Sequence, residues 1–443
     1  MTDAAIAVPN LTSLRAGVSD GQPWLLMDAR GHCIHGWLAV GVKRSLTMRA
    51  PLVGGFDALE KFIARSEGRT FGWISYEQGW SEGCRQPGGA VETGELPKAA
   101  VVLPAIHWFE PEVLLKFDGV GTTAEIEVLA GGDHPFAASA EAAIRHPIQA
   151  SHTGKTVEKL HVNATLDQPL YGQAFHEVQS HIQRGDVYEL NLCTSQSGTA
   201  DIDEGGAFAA IVEATRPPHA AWCSHNNKAI LCASPERFLS RSANRLLSSP
   251  IKGTAPRGAD EAQDCEAIER LKSDPKERAE NVMITDLVRN DMSRVALAKS
   301  VAVTELCGIH SFKNVHQMIS TVECEVEQGT GMAQILRATF PMGSMTGAPK
   351  ERAMELISTY EKTQRGLYSG ALGWADPKGD FDLAVVIRTA LIDHNSRRFS
   401  VQSGGAITTN SQRESEWEEC LLKARTLLGG LAQNTTMERN RNA

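Results

Sequence analysis

The strongest constraint on the fold lies beyond about Leu166, where helical and strand-like segments mix without the signature of a parallel nucleotide-binding sheet. Residues 168–184 have helical periodicity and end at Gly185-Asp186, a helix-stop signal. Residues 187–194 then read as a strand, as do 229–233 and 238–240. A long helix is expected over 275–289, with Ser273-Asp274-Pro275 as cap and first turn. Another should follow Thr346-Gly347-Ala348-Pro349 and run to about Tyr360, and a last one covers 414–428. Stretches 370–374, 383–392 and 398–401 read as further strands. Neither G-x-G-x-x-G nor G-x-x-x-x-G-K-[ST] occurs. The pattern predicts an α+β fold with antiparallel strands.

Residues 1–165 form a less regular, strand-rich region. Runs 24–27, 71–76 and 99–103 read as strands, 110–130 as a hairpin turning near Asp118-Gly119 and Gly121, and 56–66 as a helix. The Ala-, Gly-, His- and Pro-rich stretch 130–155 reads as a surface connection. The texture change near Leu166 thus separates a strand-rich region 1–165 from an α+β core over 166–430, followed by a tail 431–443.

With 443 residues, 42% hydrophobic and 22% charged, the chain can bury a large core as an ordinary globular protein. Its formal charge of -9 argues against nucleic acid as a partner, for which a basic stripe would be needed. No apolar run reaches the length of a spanning helix, and MTDAAIAVPN lacks the features of a secretory signal, so no membrane is expected. The nine cysteines are scattered and form no C-x-x-C, which fits reduced thiols in a cytoplasmic protein.

Several constellations suggest chemistry. Pro250-Ile251-Lys252-Gly253-Thr254 holds a lysine in a Pro/Gly-punctuated turn, where an ammonium can clamp an anion or, deprotonated, act as a nucleophile. Glu277 and Glu280 share one helix face leading into Ile284 and Leu287. Glu416, Glu419 and Lys423 share another on the last helix. Brought together, the four carboxylates would suit Mg²⁺; apart, they are solvated helix faces. Arg388 ends an apolar strand and needs an anion or an internal partner. Gly404-Gly405 and the helix opening at Ser344 offer backbone N–H groups to an anion. Glu236 and His316 are candidate acid–base groups.

Taken in order, these residues resemble the chorismate-utilising enzymes. The resemblance rests on Ser234-Pro235-Glu236-Arg237-Phe238, Pro250 to Thr254, Ala279-Glu280-Asn281-Val282-Met283, and Asp286-Leu287-Val288-Arg289-Asn290-Asp291. It continues through Gly347-Ala348-Pro349-Lys350, Arg365-Gly366-Leu367-Tyr368-Ser369-Gly370, Gly404-Gly405 and Glu416-x-x-Glu419-x-x-x-Lys423. It implies layered antiparallel sheets surrounded by helices. A lysine at 252, where anthranilate synthases carry alanine, resembles the aminodeoxychorismate synthase branch. Anthranilate synthase component I is the alternative. Glu189 stands where isochorismate and salicylate synthases carry lysine and where glutamine would be expected, and the resemblance gives it no role.

The resemblance also implies roles. Mg²⁺ would be held by Glu280 and Glu416, with Glu277 and Glu419 close by. Arg388, Tyr368 and Gly404-Gly405 would hold the enolpyruvyl carboxylate of chorismate, with Ser344, Thr254 and Lys423 lining the pocket. Lys252 would attack the ring, Glu236 would move protons, and His316 would lie near the reacting ring. Ammonia would come from a separate glutamine amidotransferase subunit, because the chain carries no glutaminase-type cysteine motif, and the product would feed para-aminobenzoate and folate synthesis.

Overall fold

The computed structural model describes residues 7–8, 24–28, 36–82, 98–118, 125–146, 148–149 and 160–435. Two large antiparallel sheets form the body. One has eleven strands and runs from Asn163–Ala164 through Glu189–Thr199, Arg398–Ile407, Thr389–Asp393, Lys228–Ser234 and His219–His225 to Trp24–Asp28, Gly36–Val40, Val113–Asp118 and Glu125–Ala130, with Gly347–Ala348 also paired to Glu189–Thr199. The other has ten and runs from Ile251–Pro256 through Val315–Glu325, Arg245–Ser248, Arg237–Ser242, Phe381–Val385 and Ala371–Ala375 to Thr70–Ile74, Ile106–Glu110 and Arg44–Met48, with Ala302–Ser311 beside Val315–Glu325. Strands from before and after residue 165 hydrogen-bond within both sheets.

Strand alternation sends successive side chains to opposite faces, and here both faces are covered. On Gly36–Val40, Trp37 and Ala39 enter a core shared by both sheets with Trp73, Phe109, Ile230 and Leu372. Leu38 and Val40 point the other way, against helices Pro135–Arg145, Glu204–Thr215 and Arg413–Gln433. Helices Gly55–Ala64, Pro275–Ser293 and Met332–Thr339 pack on the second sheet. Facing sheets with helices outside are the expected layered α+β architecture. Among the described residues no helix is long and apolar enough to cross a membrane.

The chain passes between the sheets twice in neighbouring places. Lys228–Ser234 lies in the first sheet and Arg237–Ser242 in the second, so Pro235 and Glu236 form one crossing. Phe381–Val385 and Thr389–Asp393, each antiparallel to one of those strands, are joined by the second crossing, at Val386-Ile387-Arg388. The expected single strand over 383–392 is therefore two, broken where Arg388 takes a left-handed φ of 50°. Three other expectations change. Residues 99–103 are a loop that seals the inter-sheet core with Val101, and the strand begins at Ile106. The connection 130–155 contains the helix Pro135–Arg145, capped by His134. The turn at Lys252 is part of a strand, Ile251–Pro256. The strands of the 110–130 hairpin pair as expected, while its turn at 119–124 lies outside the described residues.

Candidate active site

A cleft of about 580 Å³ opens at the two crossings, within the range of small-molecule sites. Lys252 enters it from a β-bulge. The register with Val315–Glu325 slips between Ile251 and Thr254, and Gly253 takes φ 96°. A bulge bends its strand and re-aims side chains, here turning Lys252 inward. The Asn281 amide, on helix Pro275–Ser293, fixes that backbone by donating to Lys252 O (3.2 Å) and Met318 O (3.0 Å). Lys252 Nζ donates to Glu189 Oε1 at 2.8 Å. Burial alone would lower the lysine's pKa, but Glu189, Glu280 and Glu236 more than offset this and hold it above the ordinary ammonium range. At rest Lys252 is charged.

Glu236 sits on the first crossing and accepts a 2.7 Å hydrogen bond from Ser344 Oγ. Burial pushes its carboxyl up to about 7, against the opposing pull of Ser344 and Lys252. A carboxyl poised there can both give and take a proton near neutral pH. Arg388, on the second crossing, also lines the cleft with Tyr368, and its guanidinium makes no hydrogen bond or ion pair among the described residues. Burial lowers its pKa despite Tyr368 and Glu419. A desolvated guanidinium without an internal anion is a ready carboxylate site.

Two helices add their carboxylates to the cleft lining. Asp274 caps Pro275–Ser293 by accepting from the Lys276 and Glu277 N–H groups, which starts the helix where Glu277 and Glu280 face the cleft. Glu416 shares the buried stripe of Arg413–Gln433 with Cys420 and Ala424 and is only 2% exposed. Burial raises the Glu280 carboxyl to about 7, with Lys252 and Lys276 opposing. Burial likewise raises Glu277. Glu419 lies nearer the mouth. Burial would raise it, but Lys423 at 2.6 Å, helped by Lys252 and Lys276, holds it below the usual range.

Among the described residues no three acidic, histidine or cysteine side chains form a ready metal cage. Glu280 and Glu416 nevertheless meet around one cation, Lys276 Nζ, at 3.8 and 3.5 Å. Among the described residues nothing donates a hydrogen bond to Glu280 Oε1. Two carboxylates completed by water and substrate oxygens are the arrangement Mg²⁺ favours, so the donor set fits that ion.

Thr254 and Gly404 also line the cleft, and Lys423 Nζ donates to Gly404 O at 2.8 Å. Gly405 lies within the strand rather than after it, and a Cβ there would stand 3.0 Å from Glu416 Oε2. His316 is not brought to the cleft. It is fully buried, with Nε2 2.9 Å from Asp264 Oδ1 and Nδ1 2.8 Å from Ser311 Oγ, so it braces the strand instead of facing a ring. Sequence reasoning missed Lys276, whose only signal was a position one residue before Glu277, and Asn191 and Gln402, which also line the cleft.

The sequence matches the family described as chorismate binding enzyme over residues 39–429. It is 40% identical over 266 residues to aminodeoxychorismate synthase component 1 of Escherichia coli (strain K12), covering 60% of this chain and 58% of that one. It is 32% identical over 331 residues to anthranilate synthase component 1 of Thermus thermophilus, covering 74% and 71%. The match to the Escherichia coli relative thus spans less than two thirds of that protein's length. Anthranilate synthase component I from Streptococcus pneumoniae TIGR4 superposes with a TM-score of 0.74 at 23% identity, covering 90% of this chain and 92% of that one. The menaquinone-specific isochorismate synthase of Escherichia coli gives 0.70 at 17%, covering 97% and 96%. Fold, cleft and sequence agree: the chain belongs to the chorismate binding enzyme family.

Proposed function

We propose that the chain makes 4-amino-4-deoxychorismate from chorismate and ammonia through a covalent bond to Lys252. The observation that carries this reading is a buried lysine sharing one cleft with a near-neutral acid, Glu236, and with Arg388, whose guanidinium is unpaired among the described residues. Glu280 and Glu416 would hold Mg²⁺, with Glu277 and Glu419 beside them, and the ion would neutralise the ring carboxylate. Arg388, Tyr368 and the Gly404-Gly405 backbone would take the enolpyruvyl carboxylate, with Ser344, Thr254 and Lys423 completing the anion pocket. Lys252 attacks C2 as the C4 hydroxyl leaves with a proton from Glu236. Ammonia then attacks C4, expels the lysine and returns a proton to Glu236. Direct substitution becomes two allylic displacements, each easier than the single step. His316 has no chemical step.

Ammonia would come from a glutamine amidotransferase subunit, as the designation component 1 of the relatives suggests, and the product would serve para-aminobenzoate and folate synthesis. Seven cysteines in the described residues are free thiols, which supports a cytoplasmic setting. Anthranilate synthase component I is the second reading, favoured by the longer match to the Thermus protein. The test incubates the protein with chorismate, Mg²⁺ and ammonium at mildly alkaline pH, with and without an aminodeoxychorismate lyase. A lyase-dependent para-aminobenzoate peak is expected, and Lys252→Ala should abolish it. Fluorescent anthranilate without the lyase would establish the second reading.

A further inference from the structure

The residue bonded to the Lys252 ammonium is Glu189, a side chain to which the sequence reading gave no task. It is 1% exposed, and among the described residues its Oε2 has no hydrogen-bond partner, so the one side-chain bond it makes there is to Lys252 Nζ at 2.8 Å. Its backbone is fixed on a rigid element. Glu189 pairs with Ala348 across the strand Gly347–Ala348, and the flanking Tyr188 and Asn191 N–H groups donate to Ala348 O and Thr346 O. Close approach there depends on Gly347, where a Cβ would fall 2.1 Å from Glu189 O. Glu236 makes no comparable bond to the lysine, and its Oε1 is taken by Ser344.

We propose that Glu189 is the proton acceptor that converts Lys252 from a resting ammonium into a nucleophile and protonates it again when it is expelled. The inference rests on the reading of Lys252 as the attacking group. A proton moves along the Nζ–H···Oε1 bond, leaving a neutral amine and a carboxylic acid at Glu189. The amine lone pair forms the bond to C2, the electron pairs of the two ring double bonds shift, and the C4–O bond breaks as Glu236 protonates the departing oxygen to water. When ammonia attacks C4, the shift reverses and the C2–N bond breaks with its electrons returning to Nζ. Glu236 takes a proton from the new ammonium group at C4, and Glu189 returns its proton to Lys252. Both carboxylates end as they began, with chorismate and ammonia converted to product and water. The lysine is held above the ordinary ammonium range, so a resident base is what its attack requires.

The experiment compares wild type, Glu189→Gln, Glu189→Ala and Lys252→Ala with chorismate, Mg²⁺ and ammonium, following kcat and KM and detecting the lysine adduct by intact-protein mass. Glu189→Gln keeps the shape and a hydrogen-bonding oxygen but is far too weak a base. Its kcat should fall about 10²–10⁴-fold, the range for loss of a general base, with KM for chorismate little changed and no adduct. Added formate should restore part of the activity of Glu189→Ala, which a purely structural role would not allow. Wild-type kcat in Glu189→Gln, with Lys252→Ala inactive, overturns the role of Glu189 alone. Wild-type activity in Lys252→Ala overturns the lysine reading itself and the inference with it. Unfolding of the Gln and Ala variants is checked by melting, and in that case an adduct-competent Glu189→Asp, with a carboxylate on a shorter stem, supports the proposal, whereas a folded but inactive Asp variant that formate does not rescue overturns it.

Discussion

Replacing Ser344 with alanine tests whether Glu236 moves the protons. The Ser344 hydroxyl donates to Glu236 Oε1 at 2.7 Å in a buried setting, and its pull keeps the carboxyl from rising further than about 7. A hydrogen bond to a charged group is worth about 1.5–3 kcal/mol, and one pKa unit corresponds to about 1.4 kcal/mol. Part of that is returned, because the hydroxyl also bonds the neutral acid. The net expectation is a rise of about one unit, upward because the lost donor favoured the carboxylate. The assay is the pH dependence of kcat/KM for chorismate consumption, in wild type, Ser344→Ala and Glu236→Gln. The limb reporting Glu236 should move to higher pH by about one unit in Ser344→Ala and vanish in Glu236→Gln. Any loss of chorismate binding in the serine variant changes the height of the profile and leaves its midpoint alone. A limb that persists unmoved in both variants would refute the assignment of Glu236.

Two further perturbations address stability. His107 and His225 pack ring to ring at 4.0 Å within the body, and burial lowers them to about 3 and about 4, aided by their neighbours His225 and Lys228 respectively. Their folded pKa values lie below the unfolded value near 6.5, so the unfolded chain binds more protons between these limits. Stability should be intact above about pH 6.5 and decline as pH falls toward 4, with His107 alone costing about 2 kcal/mol near pH 5. Urea midpoints across that range measure it, and His107→Phe should flatten the decline. Arg365, buried, donates to both oxygens of Glu361 and to the Met345 and Asn191 carbonyls. Arg365→Met leaves that carboxylate unpaired and should cost about 3–5 kcal/mol in denaturant unfolding, with Glu361→Gln added to it recovering part of the loss.

Much of this arrangement was legible before the fold was seen, for identifiable reasons. Helix Pro275–Ser293 announces itself by its Asp274 cap and Arg413–Gln433 by its apolar stripe, so spacing put each pair of glutamates on one helix face, while only the family resemblance brought the two pairs together. The break at Arg388 was not legible, because no glycine or proline marks it and an apolar run continues through Val386 and Ile387. The Ala99 to Leu103 run looks like a strand by composition, yet it closes a core without pairing. Lys276 reads as one more exposed lysine in a first turn until a chain segment 140 residues away supplies Glu416. His316 shows the converse, since a histidine in a promising position is held by Asp264 and Ser311.

Glu189 belongs to the first sheet and Lys252 to the second, while Glu416 and Lys423 ride on the last long helix. The site therefore exists only when two sheets and the helix Arg413–Gln433 are in register. During synthesis no partial product can assemble it, because residues 398–433 complete the first sheet and bring the second pair of carboxylates. A nascent chain stalled before that point leaves the Glu189–Thr199 strand without its Arg398–Ile407 partner, an open edge of the kind that invites association, and Lys276 without Glu416. For this chain the cleft is complete only once the helix Arg413–Gln433 has docked.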